Sequence, residues 1–270
     1  MELYQTLETI LTTPTPDQKI TLFKQFYPLY LDGKIERDPS YPRVVFDHPS
    51  YKDFCVLSDP KEVPRRTKLN TQRGQTLLLH AIAHIEYSAI DLALDAVYRF
   101  RGLGEGFERD WLEVADDEVR HFEMIVSLLR ELGSFYGEYP VHDALFESSM
   151  RTLDLIERMA VVPRYLEANG LDATPLILKK LYPYRSDPMI AKIMAALRVI
   201  LDEEIDHVRK GDVWFEYACE RENKLKSCYF EIIEKHYPQS FPRKVDVNFT
   251  ARKEAGFSAE ELSKISLTLC

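Results

Sequence analysis

Four long stretches of this 270-residue chain repeat apolar residues three and four positions apart, a period that suits helices and no other regular structure. They run roughly over residues 70–101, 109–132, 143–169 and 187–221. Turn signals close three of them: "GLGEG" after the first, Gly133 after the second and Gly170 after the third, where glycine accepts the left-handed conformation of a helix C-terminus. A shorter helix is expected near 174–182, with Thr174 as its cap and Pro175 in its first turn. No convincing strand interrupts this pattern. The low glycine content (ten, against fifteen tyrosines and fourteen phenylalanines) points the same way. Long amphipathic helices of this kind pack most simply as an antiparallel bundle.

The flanks read differently. Residues 1–68 begin with two short helices separated by "TPTPDQ", where Asp17 is placed to cap the second. An extended arm follows, "RDPSYPRVVFDHPSYKDFCVLSDPKEVPRR", whose Pro, Asp and Ser content and lack of a sustained period argue against a long helix. Residues 222–270 contain a short helix, the loop "YPQSFPRKVDVNFT", and a last helix opened by Ser258 with Glu261 three residues on, a capping-box pattern. The expected organisation is therefore an all-α protein. An N-terminal segment (1–68) packs on an antiparallel four-helix bundle (69–221), which is followed by a C-terminal extension (222–270).

The apolar stripes carry an anomaly. In "WLEVADDEVRHFEMIVSLLREL" the core-facing positions include Val114, Ala115, Phe122, Ile125 and Leu129, yet Glu118 and His121 continue the same stripe. A buried carboxylate is costly unless it is paired or bound to a metal. The first helix places Glu86 in phase with Leu79, Ile82, Ala83 and Ile90. The fourth places Glu204 and His207 in phase with Ile193, Leu197, Ile200 and Val208. The third offers Glu167, continuing Leu153, Ile156, Ala160 and Pro163, or Glu157 on an adjoining face, where it has the alternative of pairing with Arg158 or a nearby lysine. Three residues turn a helix by about 300°, so Glu-x-x-His sets both side chains on one side, a turn apart in height. Two helices with Glu-x-x-His and two with a single Glu supply the ligand set of ferritin-like di-iron or di-manganese carboxylate proteins. Without a cation, four buried carboxylates would repel one another strongly.

Charge and cysteine usage bound the function. The net charge of −9 argues against bulk electrostatic binding of nucleic acid. No run of eighteen apolar residues predicts a membrane span, and the first residues lack the basic-then-apolar pattern of a secretory signal. Cys55, Cys219, Cys228 and Cys270 are scattered and form no CxxC pair, as expected of free thiols in a reducing cytoplasm. His80 and His84, four apart on a helix, could form a metal pair, but they lie off the Glu86 stripe and read better as structural hydrogen-bonding groups; His142, where the third helix begins, is placed to cap or support the bundle, with contact to the site as the alternative. Asp91, Asp202, Asp206 and Arg209 are open as partners that orient the metal-binding histidines.

Taken together, "LLLHAIAHIEYSAIDLALDA", "WLEVADDEVRHF", "YPVHDAL", "RMAVVPRYLEANGLDATP", "ILDEEIDHVRKGDVWF" and the tail "NFTARKEAGFSAEEL" resemble the bacterial ferritin-like family called domain of unknown function 455, over about residues 60–262. The resemblance implies a ferritin-like bundle with metal ligands at Glu86, Glu118, His121, Glu167, Glu204 and His207. It favours Glu167 over Glu157, a position that varies in the family's pattern. A carboxylate-rich ligand set with only two imidazoles suits two iron or manganese ions, or one of each, and is expected to do redox chemistry with dioxygen or peroxide on a small or RNA-borne substrate, with an electron donor as a further partner. The alternatives are iron handling or peroxide removal without an organic substrate, and a non-catalytic metal-binding protein. The substrate and the oligomeric state are left open.

Overall fold

A computed structural model describes residues 1–266. Their regular structure is helical, and among them β-type pairing is limited to isolated bridges such as Leu57 with Val141. The chain divides into two compact units, Met1–Phe146 and Glu147–Cys270. The first two long helices of the sequence pattern fall in the first unit and the later ones in the second.

The first unit is built on a hairpin of α3 (Gln72–Arg99) and α4 (Glu105–Glu131). The two run antiparallel: the Gln72 side-chain amide at the start of α3 donates to the Leu132 carbonyl just past α4, at 2.9 Å. Gly133 follows with φ +74°, as the turn signal predicts. Thr71 caps α3 by accepting the Gly74 amide at 3.1 Å. Around α1 (Leu3–Thr12) and α2 (Pro16–Leu31) the chain packs on this hairpin, α1 against α3 and α2 against α4. Thr15, not Asp17, holds the cap position of α2; Pro16 takes the first turn and Asp17 falls inside it, where its charge suits the helix dipole. Buried polar groups fasten these layers. Lys19 of α2 pairs with Asp91 of α3, and Ser50 of the arm bonds both, at 2.7 Å each. Asp91 is thus committed to anchoring α2 and the arm, which removes it as an orienting partner for the metal-binding histidines. By length and hydropathy α3 passes for a membrane span, yet its most apolar stretch is 78% buried inside the protein, and it reads as a core helix.

The second unit is organised along α8 (Pro188–Arg221), capped by Asp187, whose carboxylate takes the Met189 and Ile190 amides. The expected third helix is not one continuous helix. It is α5 (Ala144–Arg151), a break, α6 (Leu155–Val161), a π-helical turn (Val162–Glu167) and α7 (Ala168–Leu181). Two expectations fail here. Gly170 does not end a helix, and Thr174 and Pro175 do not start one; α7 runs through all three. Proline inside a helix leaves the carbonyl four residues earlier without its donor. That carbonyl belongs to Leu171, and the Asn248 side-chain amide supplies the missing bond at 3.2 Å. A partner from elsewhere in the chain has overridden the local signal. The same surface receives Arg252, which bonds the Asp172 carboxylate through two nitrogens (3.0 and 2.7 Å) and the Ala168 carbonyl at 3.0 Å. Beyond α8 come α9 (Tyr229–His236), α10 (Phe249–Glu254) and α11 (Ala259–Ile265). Ser258 and Glu261 form the expected capping box at the start of α11.

Pro163 marks the π turn, and it meets the one glycine of α8. A Cβ added to Gly211 would lie 2.3 Å from Pro163 Cβ, so the turn and α8 touch with no room for a side chain. Next to this contact Arg164 is fully buried. Its Nε lies 2.7 Å from Asp212 Oδ1 on α8, and it donates to Glu261 of α11 at 2.7 Å, with its guanidinium over the rings of Phe215, Tyr229 and Phe257. These contacts set the position of the turn, and Glu167 is its last residue.

Candidate metal centre

In the first unit, α3 brings Glu86 and α4 brings Glu118 and His121 to one place in the core. All three are buried, Glu118 and His121 completely. His121 Nδ1 stands 3.2 Å from Glu86 Oε2 and 3.5 Å from Glu118 Oε2. One donor atom from each of the three lies within 4.8 Å of the others. The i, i+3 spacing of Glu118 and His121 works as the helical geometry predicts, and the hairpin supplies the third donor from the neighbouring helix.

The electrostatics show what the cluster lacks. Burial, together with the Glu118 carboxylate, pushes Glu86 up to about 8. Burial acts to lower His121, but hydrogen bonds and charge from Glu118 and Glu86 override it and carry the imidazole up to about 12. Two carboxyl groups held out of water thus favour a protonated imidazole between them, because their charge favours a positive partner. A divalent cation answers that demand better than a proton, and two carboxylates with one imidazole are donors that suit Fe(II) or Mn(II). The residues present therefore fit a metal ion.

In the second unit, α8 presents Glu204 and His207, again at i, i+3, with His207 Nδ1 3.9 Å from Glu204 Oε2. His207 is fully buried, and Glu204 is half-buried with its Oε2 out of solvent. Glu167, at the end of the π turn packed against α8, is likewise half-buried with Oε2 out of solvent. Glu157 has a different role. Lys235 Nζ reaches its Oε1 at 2.5 Å and His236 Nε2 lies 2.8 Å from its Oε2. Burial would raise this carboxyl, but Lys235 and His236 together hold it below the usual range. Glu157 ties α6 to α9. The partner foreseen in Arg158 is not used: Arg158 is buried and donates to the Ser149 and Thr152 carbonyls instead.

The remaining sequence candidates are structural. His80 Nε2 accepts the Gly137 and Tyr139 amides at 3.0 and 3.3 Å. His84 bridges the Tyr136 hydroxyl (2.9 Å) and the His142 carbonyl (2.7 Å), and His142 Nδ1 takes the Ala144 amide at 3.4 Å. His80 and His84 fasten the 134–144 loop to α3, and the His142 ring bonds within that segment. Asp206 pairs with Arg209 and Lys210 along the outside of α8, and Asp202 is exposed. The positioning residues that sequence reading missed are Gly211 and Arg164. Gly211 lay on the apolar stripe of its helix, where a glycine signals a close neighbour; nothing local marked Arg164 as buried.

The sequence pattern described as "Protein of unknown function (DUF455)" matches residues 12–263. The chain belongs to the DUF455 family. A relative from Haemophilus influenzae, described as an uncharacterized protein, is 38% identical over 277 residues, spanning 98% of this chain and 93% of its own length. No solved structure matches. For this DUF455 chain, the buried Glu and His residues are therefore the primary guide to chemistry.

Proposed function

We propose that this chain is a dinuclear iron- or manganese-carboxylate protein with a ferritin-like four-helix arrangement, acting as an oxidoreductase toward dioxygen or peroxide. In this reading the ligands are Glu86, Glu118 and His121, together with Glu167, Glu204 and His207, as the sequence pattern proposes. One observation carries it: two carboxyl groups, Glu86 and Glu118, are buried against a single imidazole, with His121 Nδ1 3.2 Å from Glu86 Oε2 and 3.5 Å from Glu118 Oε2. Four carboxylates supply about four negative charges, which balance two divalent ions. Iron or manganese held by oxygen-rich ligands supplies two-electron reduction of dioxygen or peroxide.

The chain's own residues have definable parts. The hydrogen-bonded hairpin fixes Glu86 against Glu118 and His121. The Gly211–Pro163 contact and the Arg164 ion pairs fix the π turn that ends in Glu167. Burial of both histidines excludes water from the imidazole side and keeps competing ligands out. The net charge of −9 argues against bulk binding of nucleic acid, which favours a small molecule as the substrate in this reading.

The test is anaerobic titration of the full chain with ferrous iron, followed by oxygen and a count of iron bound and oxidised. The proposal expects about two ions per chain and oxidation that stops there until reductant is added. Failure to bind iron or manganese refutes the site. Retention of tens of equivalents as a mineral refutes the oxidoreductase reading in favour of storage.

A further inference from the structure

We propose that Cys219 and Cys228 form a redox-active dithiol pair that closes to an intrachain disulfide, clamping the C-terminal end of α8 onto the segment leading into α9. The two lie nine residues apart in the chain, and their sulfurs stand 3.9 Å from each other. A disulfide needs sulfurs about 2.05 Å apart, so closure asks for a shift of roughly 2 Å, within reach of side-chain rotation. The backbone between them is already folded into a tight return. Asn223 takes the left-handed conformation (φ +53°) just past the helix, the Lys224 amide bonds the Cys219 carbonyl at 2.9 Å, and the Cys228 amide bonds the Leu225 carbonyl at 2.9 Å. The loop that the bond would close is exposed at its tip, where Leu225 is 80% accessible, so it has room to adjust.

The two thiols have unequal access. Cys219 is buried in the wall of α8 and Cys228 is half-buried. Burial raises both thiols, Cys219 to about 12, so thiolate is scarce at neutral pH and exchange is slow. The attack therefore starts at Cys228, the reachable one. With a small disulfide such as oxidised glutathione, the Cys228 sulfur bonds one glutathione sulfur, the glutathione S–S bond breaks, and one glutathione leaves as thiol with the Cys228 proton. Cys219 then attacks the Cys228 sulfur, and the second glutathione leaves as thiol with the Cys219 proton. The protein loses two electrons and oxidised glutathione gains them.

The ring so closed contains Lys226, whose ammonium holds Asp212 Oδ2 at 2.7 Å; Asp212 Oδ1 lies 2.7 Å from Arg164 on the π turn. Oxidation fixes the segment that carries this ion-pair chain. The inference stands without the metal reading, since neither cysteine belongs to the proposed ligand set.

The experiment uses the full chain with Cys270→Ser, equilibrated in glutathione buffers of graded oxidised-to-reduced ratio. Equilibrium is approached both from reduced protein and from protein refolded under oxidising conditions. Free thiols are trapped, and intact mass and peptide maps are recorded. The expected result is a single two-electron transition with loss of two mass units, a peptide linking Cys219 to Cys228, and slowed hydrogen exchange over residues 220–228. Cys228→Ser and Cys219→Ser abolish the transition. Both thiols remaining free from both directions at the most oxidising ratio overturns the proposal. So does glutathione held on Cys228 without closure, or a two-thiol loss that persists in Cys228→Ser.

Discussion

Gly211→Ala offers a test of the second unit in which two effects of known size oppose each other. In a helix interior, alanine is favoured over glycine by about 1 kcal/mol, because glycine loses more backbone freedom on folding. Against this stands the contact with the π turn. The new methyl would sit 2.3 Å from Pro163 Cβ and 2.4 Å from Pro163 Cγ, where carbon atoms at rest keep about 3.5–4.0 Å. The proline ring cannot rotate away, so α8 and the turn must part by more than about 1 Å. Overpacking of this kind costs about 1–3 kcal/mol and occasionally more. The clash is at the severe end, so the net is a destabilisation of about 2 kcal/mol. Gly170→Ala supplies the control: it too is a helix interior, in α7, and an added Cβ there meets nothing within 4 Å. That variant should gain up to about 1 kcal/mol. Urea unfolding followed by far-ultraviolet circular dichroism, compared through midpoints at constant slope, reads both. Gly211→Ala should also bind less metal, since the displaced turn ends in Glu167, whereas Gly170→Ala should bind as the wild type does. A Gly211→Ala protein at least as stable as Gly170→Ala would refute the close approach and the reasoning built on it.

Glu167→Ala is expected to lose at least one of the bound metal equivalents while Glu157→Ala retains them all, measured by elemental analysis of anaerobically loaded protein; full retention in Glu167→Ala moves the ligand to another residue. His80 accepts two amide protons at Nε2 and is pushed down to about 4 by burial. Its folded value lies below the unfolded value of about 6.5, so its contribution is complete above pH 6.5 and is lost as pH falls from there toward 4, by up to ~3 kcal/mol. His80→Gln, whose side-chain oxygen keeps the acceptor and does not titrate, should flatten the stability profile over that window; parallel profiles for the two proteins would remove His80 as the cause. Asn248→Ala should destabilise by about 1–3 kcal/mol, because it strips the donor from the Leu171 carbonyl beneath Pro175 and the cap from α10; an unchanged unfolding midpoint would show that water replaces both bonds.

The long helices were legible because burial on one side of a helix imposes its period on the sequence. α3, α4 and α8 fall within a few residues of their expected bounds for that reason. The stretch from 143 to 181 was misread because its outcome depends on partners far away in the chain. Gly170 carries a stop signal and Pro175 a start signal, yet both sit inside α7. Asn248, more than seventy residues on, satisfies the carbonyl that Pro175 leaves, and Arg252 binds the carbonyl of Ala168 and the carboxylate of Asp172 on the same helix. A single-sequence reading weighs local signals only, and here a tertiary bond outweighs them. The nearness of Cys219 and Cys228 was hidden in the same way: nine residues apart is no recognised spacing, and it takes the left-handed turn at Asn223 to bring the sulfurs together.

The candidate metal centre was legible for a sharper reason. Most polar residues on a helix are uninformative, because the exposed face tolerates nearly anything. A charged residue in phase with the apolar stripe is different, since burial penalises it unless something compensates. Glu86, Glu118 and His121 stand in that position in the sequence and are buried together in the structure. Phase alone could not separate Glu157 from Glu167, because the π turn between them inserts an extra residue and shifts the register by about 100°. What separates them is a competitor: Lys235 and His236 already neutralise Glu157, whereas Glu167 closes a turn whose position is set by a glycine with no room for a methyl group and by an arginine buried among three rings. Under the proposed function that turn places Glu167 as a ligand, and Gly211→Ala would displace it by forcing α8 and the turn apart.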